Sequence, residues 1–389
     1  MHFELAEEHR MLAELVQRFV ADHLMPLETA VLAREAAGEN PELTAGERAA
    51  LDAVSRDMGL WSLDAPAELG GHDLPHVALV AVNEALGGTV AKYVLPPDSP
   101  NLRMLAASVN DAQRDAYLAP YARGETVSAI GISEPGAGAD PSGMTTRAVR
   151  ADDGSDDWII NGRKIWITRA DECDFTILMA RTGGAGRGGL SAFLVDRATP
   201  GFNVLRAIPM IGGETTYEVA LDDCRVAGWK LLGAEGGGFA PMQLRLGTRR
   251  MEIAAWCIGA AQRALNMMAE YAPQRMTFGT ALSDRQAVQW WVADAAIDIH
   301  ATRLMAYDCA WKLDQGRDVR SEISMLKIRA TEMAQRIIDN AMQCFGAMGM
   351  TRELPLHLLA QRVRTMRIYD GPSEVHRMVV ARNLMATKG

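Results

Sequence analysis

Asp157-Trp158-Ile159-Ile160-Asn161-Gly162-Arg163-Lys164-Ile165-Trp166-Ile167-Thr168 reads as a strand, a turn and a second strand. Isoleucine and tryptophan fill both halves, and the Asn-Gly pair between them suits the positive backbone angles of a tight hairpin. Further β-type runs occur at 127–132, 175–180, 192–195 and 217–221, separated by turn residues. Their spacing predicts a small antiparallel barrel or sandwich over residues 127–235. The flanks have a different period. Before residue 127, Leu5, Leu12, Leu15, Val16 and Phe19 recur at helical spacing, and Gly59, Pro66, Gly70-Gly71 and Pro96-Pro97 divide short helices. After 235, long apolar-periodic segments run over 241–272, 284–314 and 322–345, and a last one begins near 373. Ser283 with Gln286 forms a candidate capping box, and Gly346 a helix stop. The expected architecture is multidomain α+β: a helical domain at 1–126, the β domain at 127–235 and a four-helix bundle at 236–389.

A chain of 389 residues is too long for one core. Hydrophobic residues make up 48% and charged residues 23%, an ordinary globular composition. The net charge of −9 argues against nucleic acid or an anionic membrane as partner. No apolar run approaches a membrane span, and the acidic, amphipathic start is unlike a secretory or transit peptide. The five cysteines are scattered, with no CxxC pair, and read as reduced, mostly buried thiols of a cytoplasmic protein. No His/Cys cluster has metal-ligand spacing.

Three short stretches carry chemistry. Gly131-Ile132-Ser133-Glu134-Pro135-Gly136-Ala137-Gly138-Ala139-Asp140 leads from a strand into a loop of small residues, through which backbone can approach a flat or phosphorylated ligand. Trp166 and Thr168 share one strand face, offering an aromatic surface beside a hydroxyl. In Arg367-Ile368-Tyr369-Asp370-Gly371-Pro372-Ser373-Glu374-Val375-His376-Arg377, a strandless approach meets a Gly-Pro turn and a new helix. Asp370 stands just before that helix, beside N–H groups with no internal partner, as a carboxylate oriented without being locked in a salt bridge. Gly184-Ala185-Gly186-Arg187-Gly188-Gly189 satisfies GxGxxG, yet a strand follows it where a phosphate-binding turn needs a helix, so it reads as a hairpin loop.

Taken together, SEPGAGAD, DWIINGRKIWIT, RMTFG, QCFGAMG and YDGPSEVHR resemble the acyl-CoA dehydrogenase family of flavoproteins, in order and over nearly the whole chain. The resemblance implies FAD between the β domain and the C-terminal helices. Ile132, Ser133, Trp166 and Thr168 match positions that hold the isoalloxazine ring. Arg275, Thr277 and Phe278 match a segment that reaches the FAD of a neighbouring subunit, and Arg275 with Gln286 matches pyrophosphate contacts. Gln343, Gly346 and Ala347 match an adenosine-side loop on a partner subunit. A homodimer or homotetramer is therefore expected. The reaction implied is α,β-desaturation of an acyl-CoA thioester, with electrons passed on to an electron-transferring flavoprotein. Asp370 matches the base that takes the α-proton, and its N–H polarises the thioester carbonyl. Arg250 matches an Arg that steadies the catalytic loop, and Tyr369 and Gly371 flank the base on the substrate side.

Several positions depart from the common pattern. Asp370 replaces the usual Glu and loses about 1.5 Å of reach, one C–C bond. An Asp base resembles a minority branch that acts on bulky, cyclic or hydroxylated acyl groups, and the stretch 94–105, with Pro97-Asp98-Ser99 and Asn101, looks like that branch too. Some members carry the base as Glu near residue 249, but Gly247-Thr248-Arg249-Arg250 has no carboxylate, and Glu252 is a helical step away. Ala139 replaces a hydroxyl residue that often contacts CoA. Pro372 and Glu374 replace Thr and Gln at the flavin-side turn, and Glu374 near a helix start suits the dipole. Two alternatives sit on the same scaffold: a flavin oxidase of nitroalkane-oxidase type and a non-catalytic flavin-binding relative.

Overall fold

The computed structural model describes residues 5–386; residues 1–4 and 387–389, at the outer ends of the expected first and third domains, lie outside it. Seven helices come first: α1 (Glu7–Phe19), α2 (Glu28–Ala36), α3 (Ala45–Asp57), α4 (His76–Gly87), α5 (Ser99–Ala106), α6 (Asp111–Gln113) and α7 (Ala119–Arg123). The α1 periodicity buries Val16 and Phe19 and packs Leu12 and Leu15 on the same core.

Eight strands form one sheet: β1 (Ser128–Gly131), β2 (Arg147–Arg150), β3 (Trp158–Thr168), β4 (Phe175–Arg181), β5 (Leu190–Asp196), β6 (Phe202–Pro209), β7 (Thr215–Val226) and β8 (Leu231–Leu232). The order is β6-β7-β3-β2-β4-β5-β8, with β1 beside β4. The sheet is mixed rather than wholly antiparallel, because β1 runs parallel to β4 and β2 meets β4 in parallel at its end. The unbroken apolar texture of β4 and β5 has a plain cause: both faces are covered. Phe175, Ile177, Met179, Leu190, Ala192 and Leu194 point to a core shared with helical residues such as Leu102, Tyr121 and Met242. Leu178, Ala180, Phe193 and Val195 point the other way, to Trp158, Ile160, Val219 and Leu221. The GxGxxG stretch lies in the β4–β5 hairpin connection, as the strand after it requires.

The expected hairpin at Asn161-Gly162 is absent, because β3 runs through it as one strand. The Asn side chain instead bridges an irregularity in the β3–β7 ladder: Asn161 Oδ1 accepts from Asp223 N at 2.8 Å and Nδ2 donates to Asp223 Oδ1 at 3.0 Å. Gly162, at φ +151°, lets β2 approach, since a Cβ there would lie 2.5 Å from Thr146 Oγ1. A bulge and a turn make the same demands on residue type.

The C-terminal part holds α8 (Phe239–Tyr271), a hairpin of β9 (Met276–Thr277) and β10 (Thr280–Ala281), α9 (Gln286–Asp314), α10 (Arg320–Phe345), α11 (Leu356–Met366) and α12 (Ser373–Ala386). Helix α10 packs on α8, α9, α11 and α12. The four expected long helices are present, and α11 adds a fifth, so the approach to Asp370 is helical. Gly346, at φ +61°, ends α10. The expected capping box does not form. Ser283 lies in a tight turn before α9, and its carbonyl accepts from Gln289 Nε2 at 2.9 Å. All five cysteines are free and buried. Among the described residues, no helix is long and apolar enough to cross a membrane.

Candidate active site

After β1, Ile132 and Ser133 run beside the second half of β3. Ile165 N donates to the Ser133 carbonyl at 3.0 Å, and Lys164 Nζ to the Ile132 carbonyl at 3.1 Å. Lys164 is fully buried and pairs with Glu134 Oε1 at 2.9 Å. Glu134 also accepts from Thr145 N, Thr145 Oγ1 and Thr146 N at 2.6, 2.8 and 2.8 Å. Burial pushes the Lys164 ammonium down to about 8 against the pull of Glu134. Burial works to raise Glu134, but Lys164 and the threonine donors hold it at about 2. This pair clamps the Ser133 loop to the sheet. Sequence reasoning missed it, because nothing local marks an acid and a lysine thirty residues apart as partners. Along β3, Ile165 and Ile167 turn into the protein. Trp166 and Thr168 face outward, Trp166 half-exposed at φ +63° and Thr168 donating to Glu214 Oε1 at 3.2 Å. Trp166 and Thr168 thus form an outward ledge, and the Ile132–Ser133 backbone runs beside it with Ile132 packed on the core.

The Asp370 loop sits at the start of α8. Asp370 and Gly371 have φ +53° and +100° in succession, a left-handed stretch that costs free energy unless its surroundings enforce it. Arg250 Nε donates to the Asp370 carbonyl at 2.8 Å, and Lys327 Nζ donates to the carbonyls of Tyr369 and Gly371 on either side. Burial pushes Lys327 down to about 8, partly offset by Asp370. His376, buried beneath the loop, is pushed down to about 3 by burial and by Arg250 and Lys327, so it brings no competing charge at neutral pH. Tyr369 is half-buried, and burial together with Glu214 raises its phenol. Glu214 therefore faces both the Trp166 ledge and the Asp370 loop.

Asp370 does not stand free of an ion pair, as the sequence suggested. Arg245 Nη1 donates to Asp370 Oδ1 at 2.8 Å, with both side chains largely buried. Arg245, unremarked in the sequence, also donates from Nε to Asn101 Oδ1 at 3.2 Å, and Asn101 in turn donates to Ser128 Oγ at 2.9 Å. One turn along α8, Arg249 pairs with Asp98 and, at 2.7 Å, with Glu252. The stretch 94–105 thus enters the site through Asp98 and Asn101. Asp98 is held below the usual carboxylate range, because Arg249 and Arg245 outweigh its burial. Burial, aided by Asp98 and Asp64, raises Glu252 well above that range despite Arg249. Among the described residues, Asp370 Oδ2 accepts no hydrogen bond and the Asp370 N–H finds no acceptor.

The remaining candidates lie elsewhere. Ala139 is exposed on the Ser133 loop. Pro372 is half-buried and Glu374 exposed at the start of α12. Arg275 is exposed before the β9–β10 hairpin, Thr277 half-buried within it, and Phe278 at its tip is 99% exposed. Gln286 opens α9, exposed. Gln343, Gly346 and Ala347 are exposed at the end of α10. Tyr271 and Phe345 stack at 4.2 Å, so the hairpin after α8 and the end of α10 share one end of the bundle. That end is about 30 Å from Arg250 at 1.5 Å per residue along α8.

The residues fit an FAD: an outward half-exposed indole, the Thr168 hydroxyl on the same face of β3, and the N–H groups of Glu374 and Val375 at the start of α12, which find no acceptor among the described residues. The signatures described as acyl-CoA dehydrogenase N-terminal, middle and C-terminal domains match residues 6–125, 129–224 and 236–385. The chain belongs to the acyl-CoA dehydrogenase family and is an oxidoreductase acting on acyl-CoA. It is 42% identical to (R)-benzylsuccinyl-CoA dehydrogenase of Thauera aromatica, over 99% of this chain and 97% of the relative. It is 31% identical to the caffeyl-CoA reductase-Etf complex subunit CarC of Acetobacterium woodii, over 98% and 99%. An FAD complex of PigA superposes with a TM-score of 0.89 at 28% identity, covering all of both chains.

Proposed function

We propose that this enzyme dehydrogenates an acyl-CoA thioester between Cα and Cβ, with Asp370 as the base that takes the α-proton. FAD, when bound, accepts the β-hydrogen as hydride. The observation that carries the reading is the Asp370 loop: a carboxylate in an enforced left-handed turn, with Oδ2 and its own N–H both without partners. The N–H suits an enolate oxygen, and Oδ2 suits the α-proton. Arg250 and Lys327 hold the loop carbonyls and so fix where both point. Ile132, Ser133, Trp166 and Thr168 would hold the flavin ring.

The pyrophosphate and adenosine candidates lie about 30 Å along α8 from this loop. A second copy of the chain would bring its Arg275, Thr277, Phe278, Gln286, Gln343, Gly346 and Ala347 to the cofactor, which favours a homodimer or a tetramer built from dimers. Electrons would then pass to an electron-transferring flavoprotein, the kind of partner named in the CarC complex. The short base favours a bulky acyl group. Benzylsuccinyl-CoA, for which the Thauera relative is named, is the first thioester to try, beside straight and branched acyl-CoAs.

Anaerobic bleaching of the flavin absorbance tests the reading. Asp370→Asn should slow bleaching by about 10²–10⁴-fold, the usual share of a general base, while Asp370→Glu keeps part of the rate. Full-rate bleaching by the Asn variant would remove Asp370 from the role.

A further inference from the structure

We infer that Arg245 is the receptor for a free carboxylate on the substrate's acyl group, and that binding this carboxylate releases Asp370. The inference rests on the acyl-CoA reading above and narrows its substrate class. Arg245 is 8% exposed, and among the described residues its hydrogen-bond partners are Asn101 through Nε and Asp370 through Nη1. Its Nη2 donates to no group of the chain among the described residues, yet it is not one of the sealed, unpartnered polar atoms. One edge of a planar fork is therefore open to a second carboxylate, which guanidinium can grip through two oxygens.

The local charge balance points the same way. Arg245, Arg249, Arg250 and Lys327 face Asp98 and Asp370, while burial favours the protonated form of Glu252. Asp64 and Arg103, behind Asp98, pair with each other. The cluster carries an excess of positive charge that an anionic acyl group would balance. Geometry also limits the length of that group. Asp370 must come within about 3.5 Å of the α-carbon, and Arg245 lies 2.8 Å from Asp370. The guanidinium of Arg245 thus stands within about 6 Å of the α-carbon, so only a few C–C bonds of about 1.5 Å each join that carbon to a carboxylate that Arg245 grips. This describes the mono-CoA thioester of a short dicarboxylic acid. Without such a substrate, Arg245 occupies Asp370 Oδ1; with it, the incoming carboxylate takes over that hydrogen bond and leaves the whole Asp370 carboxylate to the α-proton. No covalent bond changes in the exchange.

The test compares the free-acid thioester tried above with its methyl ester, in wild-type holoenzyme, Arg245→Gln and Arg245→Lys. Wild type should favour the free acid by about 100-fold in kcat/KM, the scale of a charge-assisted buried pair. Arg245→Gln should erase that preference, bringing the ratio of kcat/KM for acid over ester from about 100 down to about one. Arg245→Lys should recover only part of the preference, since an ammonium lacks the planar fork. Equal wild-type rates for acid and ester, or equal losses on both in Arg245→Gln, would overturn the inference and leave Arg245 a brace for the loop. The wild-type ratio decides even if a variant fails to fold. If no thioester bleaches the wild-type flavin, the acyl-CoA reading itself is what has failed.

Discussion

Asp370 and Gly371 are the two residues whose backbone sets the direction of the proposed base. Asp tolerates the left-handed region better than most side chains, but Gly371 has further reason to be glycine. A Cβ there would sit 2.9 Å from His376 Nε2, which is buried and without a hydrogen-bond partner among the described residues. Gly371→Ala must therefore move His376 or flatten the turn. We expect a loss of about 1–3 kcal/mol in stability, the range for an enforced unfavourable backbone, and a fall in kcat from the displaced carboxylate. Thermal unfolding and flavin bleaching on one preparation check both, and an unchanged melting temperature would show that the turn is not strained there.

At the scale of elements, the Ser133 loop and β3 are joined by the buried Glu134–Lys164 pair. Glu134 is held at about 2 against an ordinary 4.5, so its contribution to stability is complete above pH 4.5 and drains away as pH falls toward 2. The gap corresponds to about 3 kcal/mol at 1.4 kcal/mol per pH unit. Glu134→Gln leaves a buried ammonium without its counter-charge and should cost about 3 kcal/mol near neutrality. In urea unfolding from pH 6 to pH 3, the wild-type advantage should shrink as the medium is acidified, and a constant gap would exclude the pair as its source. Such contacts mark where the sequence stops being legible. Helical and strand periods are local, so α8, α9, α10, α12 and the strands β1, β3, β4, β5 and β7 could be anticipated from spacing. Edge strand β6 is largely exposed and carries little apolar pattern, whereas α11 buries Leu356, Leu359 and Val363 at helical spacing but is only 11 residues long. Asn161-Gly162 misled because a bulge asks for the same residues as a turn. Asp370 was visible through its Gly-Pro turn, whereas Arg245 was not. Its partners, Asn101 and Asp370, lie 144 and 125 residues away, and only the tertiary fold brings them together.

Across the whole molecule, the cofactor site proposed above calls for a second copy of the chain. Helix α9 offers the surface for it. Trp290, Ile297, Leu304 and Trp311 recur every seven residues and are 59%, 63%, 43% and 47% exposed. A seven-residue repeat keeps one stripe of a helix facing a partner over several turns. Four large apolar side chains left in water along one line are costly in a monomer, at about 25 cal/mol per Å² of apolar surface. A second copy of this chain is the partner that the proposed cofactor site calls for, since it would present its own exposed Arg275–Phe278 and Gln343–Ala347 groups. Ile297→Lys combined with Leu304→Lys places two charges in that seam while leaving the bundle core untouched, since both side chains point outward. Light scattering behind size exclusion should then report a smaller species than wild type at equal concentration. Circular dichroism should stay helical, because the change falls on a surface rather than on the core. An unchanged mass would assign the stripe to some other contact and leave the shared cofactor site in need of a different interface.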